Sequence, residues 1–456
     1  MDERFDVVVV GAGLAGLAAA ATAARSGAST LVLDGHHPGG RASTDERGRY
    51  RFNRGAHALY QGGEATAVLA RLGVSVTGAY PPGKARGRID DTIDVLPADL
   101  PTMLRSRLVS LRGKVALARF LAGVKKWRPG DVAGLTIGQW LDGFHLPDDA
   151  RRLARFLVRT ATYVNDEHHV SADVAAGQIQ MALANNVHYL DGGWASLVDG
   201  LAAAARRHGA EIRTGAAVTS ITAPAVALRR TSATPVVAEE RRSAGDVTVV
   251  AGGREISAGA VVIAAGTPEA AAALLGGGRP AAWAGLGPAA EASCLDLGLR
   301  RRLPQPILFG LDPPIYLVDH AASATDLAPE GGGLVHVLHY LPFGDDTPAN
   351  ALRAGLEEHA RRAGVDPAMV EEQRFLLRMT VVGATPTPSA GGLAGRPAVD
   401  STGVDGVYVA GDWVGPRGWL ADCALSSGEA AATAAARRAA GRADDVRAFP
   451  ARQDVA

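Results

Sequence analysis

Lysine is nearly missing from this chain: of 47 basic residues only Lys84, Lys114, Lys125 and Lys126 are lysines, and none follows position 126. Chemistry that needs a lysine amine is thereby confined to the first part of the sequence. Cysteine is scarcer still. Cys294 and Cys423 share no metal-ligand or redox spacing and cannot make a disulfide framework, so two buried thiols in a reducing, cytoplasmic setting are expected. Net charge is absent too, with 47 Lys+Arg against 47 Asp+Glu. The broad basic footprint of nucleic-acid binding is missing, and no nucleic-acid partner is expected. One uncharged run, Val7 to Ala24, has the length of a membrane span. It divides into a four-valine strand and an Ala-rich helix around three glycines, both of which read as buried soluble structure. Met1-Asp2-Glu3-Arg4 is also a poor opening for a secretion signal.

What is present is a globular composition, 47% hydrophobic over 456 residues, enough for two or three domains. The first 35 residues predict strand (Phe5 to Val10), glycine turn, helix (Leu14 to Ser26) and strand (Thr30 to Asp34), the opening of a βαβ unit. Residues 98–130 and 136–190 carry mostly helical patterns. A helix is expected over Trp194 to His208, with strands at Ala210 to Thr214, Ala217 to Ile221, Val247 to Val250 and Ala260 to Ala264. Ala223 to Gly245 reads as an exposed excursion. Residues 290–345 look mostly β; a helix follows at Arg353 to Ala363, a strand at Arg374 to Val382, another at Gly406 to Ala410 and a helix from about Leu420 to Arg438. The polar tail, 441–456, is expected to fray.

Three motifs carry chemistry. Gly11-Ala12-Gly13-Leu14-Ala15-Gly16 stands between a strand and a helix, with Asp34 closing the next strand. Gly11 permits the tight turn, Gly13 lets a pyrophosphate approach, and Gly16 lets helix and sheet pack closely. Helix amides and dipole then face the anion, and Asp34 stands where a ribose diol is held. This pattern alone leaves FAD and NAD open. Pro38-Gly39-Gly40-Arg41 adds a second glycine pair and a cation suited to phosphate oxygens. Near the other end, Val407 to Asp412 is a strand running into Gly411-Asp412, followed by a second helix start whose dipole can stabilise a reduced flavin ring.

With GAGLAGLAAA, PGGRAST, FNRGAHAL, VVIAAGTP, VYVAGDW and ADCALSSGEAA in place, the sequence resembles the FAD-dependent oxidoreductases of the flavin amine oxidase and phytoene desaturase superfamily. The resemblance covers the cofactor-binding stretches well and the substrate stretches poorly. It implies an α/β fold in which a Rossmann-like FAD-binding domain is assembled from separated segments, 1–75, 191–275 and 374–440. A mixed α+β substrate domain would come from 76–190 and 276–373. Carried over by position, Gly11, Gly13, Leu14, Ala15 and Gly16 would face the pyrophosphate, and Asp34 the adenosine ribose. Gly40 and Arg41 would reach phosphate, and Val218 would bind adenine through its backbone. Gly411 and Asp412 would hold the ribityl-phosphate side, Leu420 and Ala421 would lie under the pyrimidine edge, and Gly55-Ala56-His57 would pass beside the isoalloxazine. The FAD is expected to be non-covalent, because Cys423 falls within the last helix. Asp34 stands where many relatives carry Glu.

The missing lysine matters most at this point. Amine oxidases of the superfamily place a lysine from the second half of the chain, through water, at the flavin's reactive nitrogen, and this chain has none there. The resemblance therefore implies dehydrogenation or desaturation of a hydrophobic small molecule, an isoprenoid or polyene, with oxygen or a quinone as electron acceptor. A flavin amine oxidase, a protoporphyrinogen-oxidase-like enzyme and a non-enzymatic flavoprotein are the alternatives. No catalytic acid or base is named. The adjacent pairs His36-His37 and His168-His169 do not suit a metal, and none is expected. Tyr163, Tyr189, Trp194, Tyr316, Tyr340, Trp413 and Trp419 are candidates for core or cavity wall.

Leu104, Leu108, Leu111, Val115, Ala118 and Ala122 recur at helical spacing within a stretch, 104–128, whose charges are all positive. Two readings stay open: a helix packed on the substrate domain with a solvated basic face, or peripheral contact with the inner face of a membrane.

Overall fold

The computed structural model describes residues 3–83, 85–223 and 245–447. Its first sheet is built around Glu3–Val10, which pairs in parallel with Thr30–Leu33 on one side and Arg254–Ile263 on the other. Val7, Val8 and Val9 are fully buried, as an all-apolar run demands when both faces of a parallel strand are covered. The order continues outward to Glu211–Arg213 on one flank and through Val247–Ala251 to Val218–Thr222 on the other. On its other edge Arg254–Ile263 serves two further neighbours, pairing Val247–Ala251 through 254–258 and Val407–Val409 through 261–263. Chain segments from the beginning, middle and end thus share one sheet.

Helix Leu14–Arg25 covers this sheet, with Ala18 to Ala21 fully buried. Small side chains let helices approach closely. Ala421–Arg447 packs on it where Gly428 leaves no room for a Cβ beside the Ala15 carbonyl, and Ala195–Arg207 packs beside it.

A second sheet has the order Val370–Val382, Ala290–Leu299, Gly333–Tyr340, Ile315–Asp319, Ile307–Asp312, Ala85–Ile89, Thr92–Val95. Strand alternation divides its residues between two faces. Leu295, Leu297, Leu299, Val335 and Val337 pack with Leu356 and Ala360 of helix Ala349–Arg362. Ala292, Cys294, Tyr316, Leu338 and Tyr340 face the opposite way, onto Ala56. Helices Leu111–Val124, Ile137–Asp142, Asp148–Thr162 and Ala172–Asn185 form a further layer around Leu117, Phe120, Trp140 and Leu153.

Three expectations change. Val370–Val382 belongs to the second sheet, so the return to the cofactor-binding unit comes after Val382 rather than at 374; its pairing with Ala290–Leu299 is long and antiparallel. The last helix runs on to Arg447, so the expected tail does not start at 441. The stretch from Leu104 is not one helix, because Leu100–Arg105 ends and a new helix begins at Leu111, capped by Ser110. The excursion at 223–245 falls almost wholly outside the described residues, as do 448–456. Among the described residues no helix is long and apolar enough to cross a membrane, and Val7 to Ala24 is strand, turn and helix.

Candidate active site

The glycine turn shows which of its members are structural. Gly11 has φ +101° and a Cβ there would lie 2.5 Å from the Ala264 oxygen, while one at Gly16 would collide with the Gly11 oxygen. Gly13 differs. The nearest atom to a Cβ on Gly13 is the Gly39 oxygen at 3.9 Å, so room remains beside the first turn of Leu14–Arg25, where the amides of Leu14, Ala15 and Gly16 have no partner in the preceding turn. Gly39 bridges to Gly13, and its amide donates to the Ala12 oxygen at 2.8 Å. Both glycine stretches read from the sequence therefore converge on one cradle, with Gly40 at its lip.

Asp34 accepts from the Ala12 amide at 2.6 Å and the His36 amide at 2.7 Å. These bonds hold the carboxylate against the cradle. Val218 lies at a bulge in the pairing with Val247–Ala251, on the same sheet but across from Asp34, where Ala217 packs against Gly35.

Arg41, expected to reach phosphate, is held by protein groups. Its guanidinium forks onto Asp412 at 2.7 and 2.9 Å and donates to the Val381 oxygen at 3.1 Å. Asp412 is only 4% exposed, and a buried carboxylate requires a counter-charge; the Gly383 amide also donates to it at 3.1 Å. Gly411 is pinned to the last helix, its amide donating to Ser427 Oγ at 3.0 Å. Leu420 has φ +53° immediately before Ala421–Arg447. A leucine held in the left-handed region is strain placed where the first amides of that helix emerge, the kind of strain found at ligand sites. Cys423 is buried, within reach of the Val414 oxygen at 3.2 Å, and burial pushes its thiol up to about 11, which suits a packed thiol rather than an attachment point.

Gly55-Ala56-His57 lies against the second sheet through Ala56 and against Trp194 through His57. Gly55 has φ +82° and would collide with Met379 if it carried a side chain. His57 Nδ1 donates to the Gly55 carbonyl oxygen of its own turn at 3.0 Å, and its ring packs on Trp194 with centroids 4.7 Å apart. Burial lowers it to about 4, leaving it uncharged at neutral pH. Against this segment stands a wall of tyrosines. Tyr163 Oη lies 3.2 Å from Tyr316 Oη, Tyr316 stacks on Tyr340 at 5.5 Å, and Tyr163 meets Tyr340 edge-on at 5.8 Å. Burial raises all three hydroxyls, so they remain protonated hydrogen-bonding groups. Tyr163 is itself at φ +61°. Trp413 and Trp419 are core residues: Trp413 packs on Trp283, and the Trp419 indole donates to the Thr162 oxygen at 2.9 Å.

On the same sheet face as the tyrosines, farther along the strands, lies a charged group that sequence reasoning missed. Asp296 is directly opposite His336 on one neighbouring strand and Arg374 on the other. Its carboxylate meets His336 Nδ1 at 2.5 Å, Arg374 Nε at 2.9 Å and the Cys294 thiol at 3.1 Å, all buried. Burial pushes the acid up, but His336 and Arg374 outweigh it and hold it below its ordinary range. The sequence signal was there: Asp296 sits between Leu295 and Leu297, and His336 between Val335 and Val337. Atoms of Cys294, Asp296 and His336 converge closely enough to suggest metal ligation, yet the Arg374 guanidinium already supplies the positive charge there. A second cation would meet it at short range. A groove of about 610 Å³ lined by Arg25, Arg71 and Glu429 opens at the far end of Leu14–Arg25 from Gly13, so it belongs to the outer surface.

Comparison with known proteins accords with this geometry. A triple variant of putrescine oxidase is 16% identical with TM-score 0.73, covering 95% of this chain and 99% of its own. Cyclohexylamine oxidase from Brevibacterium oxydans is 20% identical with TM-score 0.67, covering 96% and 99%. A putative protoporphyrinogen oxidase from an Exiguobacterium species is 16% identical with TM-score 0.67, covering 96% and 99%. At such identities the likeness establishes the fold alone. No curated protein matches the chain in sequence. The family model described as flavin containing amine oxidoreductase matches residues 14–436. The open cradle at Gly13, the strained helix start at Leu420 and the neutral His57 segment fit the FAD that this family carries, and the chain belongs to the flavin-containing amine oxidoreductase family.

Proposed function

We propose that this FAD-dependent oxidoreductase dehydrogenates a hydrophobic small molecule, with an isoprenoid or polyene as the favoured class and oxygen or a quinone as electron acceptor. The observation that carries this reading is the wall facing Gly55-Ala56-His57. It is aromatic and aliphatic, no lysine follows position 126, and its buried carboxylate, Asp296, is already engaged by Arg374 and His336. An ammonium substrate would find no free carboxylate on that wall among the described residues; a hydrocarbon would find apolar contact.

Bound FAD supplies the hydride acceptor, and the protein binds, orients and shields. Gly13 and the first amides of Leu14–Arg25 would hold the pyrophosphate, Asp34 the ribose, and Leu420 and Ala421 the ring's polar edge. Tyr163 and Tyr316 fix the position of the Ala56 segment, since the Tyr163 hydroxyl also reaches the Ala56 oxygen at 3.4 Å. Anaerobic titration of the yellow protein with polyenes, isoprenoid alcohols and primary amines tests the reading through bleaching of the oxidised-flavin band. Reduction by amines alone would overturn it.

Arg41 acts on the cofactor through Asp412. Arg41→Ala is expected to weaken FAD binding by about 1.5–3 kcal/mol, the range for a charge-assisted hydrogen bond, because Asp412 loses the partner that aims it. Titration of apoprotein with FAD measures this, and an unchanged Kd would remove Arg41 from the site.

A further inference from the structure

Helix Leu111–Val124 is apolar on two opposite faces. Gly113, Leu117, Phe120 and Val124 point inward and are buried. Leu111, Val115, Ala118 and Ala122, at spacings of four, three and four, are exposed and form one outward stripe. Leu111 is 77% exposed and Val115 48%, and Leu104 from the preceding helix, at 69%, adjoins them because Lys114 Nζ donates to the Leu104 oxygen at 3.2 Å. A solvated helix face does not ordinarily carry such a stripe.

The charge around the stripe is one-sided. Arg112 and Arg119 lie along one edge and Lys114 along the other, as a turn of 100° per residue requires. Between Asp99 and Asp131 the charged residues are Arg105, Arg107, Arg112, Lys114, Arg119, Lys125, Lys126 and Arg128, with no acid. None of these eight forms an ion pair among the described residues. Three acids lie nearby and accept from backbone amides, Asp94 from Arg107, Asp99 from Thr102 and Asp149 from Ser110; Asp94 and Asp99 also act on Arg107 and Arg105, which precede the helix. Trp127, 38% exposed, closes the end of the helix against Phe144.

From this we infer that the outer face of Leu111–Val124, with Leu104 and Trp127, docks on an anionic lipid surface. An outward apolar stripe with cations along both edges matches the boundary between acyl chains and anionic headgroups, and an indole suits that boundary too. A second copy of the chain fits poorly, because its cations would oppose these. The inference is independent of the substrate proposed above.

Sedimentation of the FAD-loaded protein with phosphatidylcholine vesicles, with and without phosphatidylglycerol, tests it. The protein is expected to pellet with the anionic vesicles at low salt and to be released at high salt. Leu111→Glu with Val115→Glu should lower vesicle affinity at least about tenfold, and Arg112→Gln with Arg119→Gln about ten- to thirtyfold. All four side chains are exposed, so flavin content and circular dichroism should match wild type and certify the fold. No pelleting at low salt, equal pelleting with neutral vesicles, unchanged binding by the Leu111/Val115 variant, or a dimer in solution that this variant dissociates would each overturn the assignment.

Discussion

Gly13→Val is expected to give a folded protein without flavin. Gly13 has φ −75°, which valine accepts, and its Cβ would enter open space rather than strike backbone. Stability should therefore change little. The branched side chain would nevertheless fill the room beside the first helix amides, and a pyrophosphate cannot share it. Gly11→Ala and Gly16→Ala behave differently, since their Cβ atoms meet the Ala264 and Gly11 oxygens; both should lose stability and cofactor together. Flavin absorbance per mole of protein and thermal unfolding of the apo forms separate the two classes. Full flavin occupancy in Gly13→Val would show that the cradle is not the cofactor site.

The second large effect is expected at Arg374→Ala. Asp296 is fully buried, and removing its guanidinium leaves a carboxylate held only by His336, Cys294 and their surroundings. Breaking one side of a buried ion pair costs about 3–5 kcal/mol. Asp45 and the Asn53 carbonyl, which also bind this guanidinium, would lose a partner as well. The Asp296→Ala, Arg374→Ala double variant should recover part of the loss, because neither charge is then stranded. The sign with pH follows from the lowered acid: the contribution is present above the unfolded-state value near about 4 and is lost as pH falls through the folded one. Urea unfolding at neutral pH decides it. A loss below about 1 kcal/mol for the single variant would mean that the network is not what fixes these three strands.

The legible parts of the molecule were those decided within a few residues. Gly11 and Gly16 could be read because a tight turn and a close helix approach exclude other side chains locally, and Gly13 and Asp34 because they stand at fixed offsets from that turn; the strands and helices around them stand within a few residues of the expected bounds. The stripe at Leu111, Val115, Ala118 and Ala122 was also legible as one helix face. Which way it pointed was not, since Gly113, Leu117, Phe120 and Val124 offer the same helix a second apolar face and only the tertiary packing chooses between them. Asp296, His336 and Arg374 lie far apart in sequence and meet only through sheet register. Arg41 was found as a cation near the phosphate loop, but its partner Asp412 is at the other end of the chain.

The sharing of one sheet by early, middle and late segments has a bearing on synthesis. When a ribosome has released everything up to the second sheet, the edge at 261–263 still lacks Val407–Val409, and the alanine surface of Leu14–Arg25 still lacks Ala421–Arg447. The nascent chain therefore carries an unpaired strand edge and an uncovered apolar helix until residues 407–447 emerge, the exposure that favours chaperone engagement and aggregation. With Gly411, Asp412 and Leu420 holding the cofactor as proposed, its loading waits until 407–447 have joined the first sheet and Leu14–Arg25.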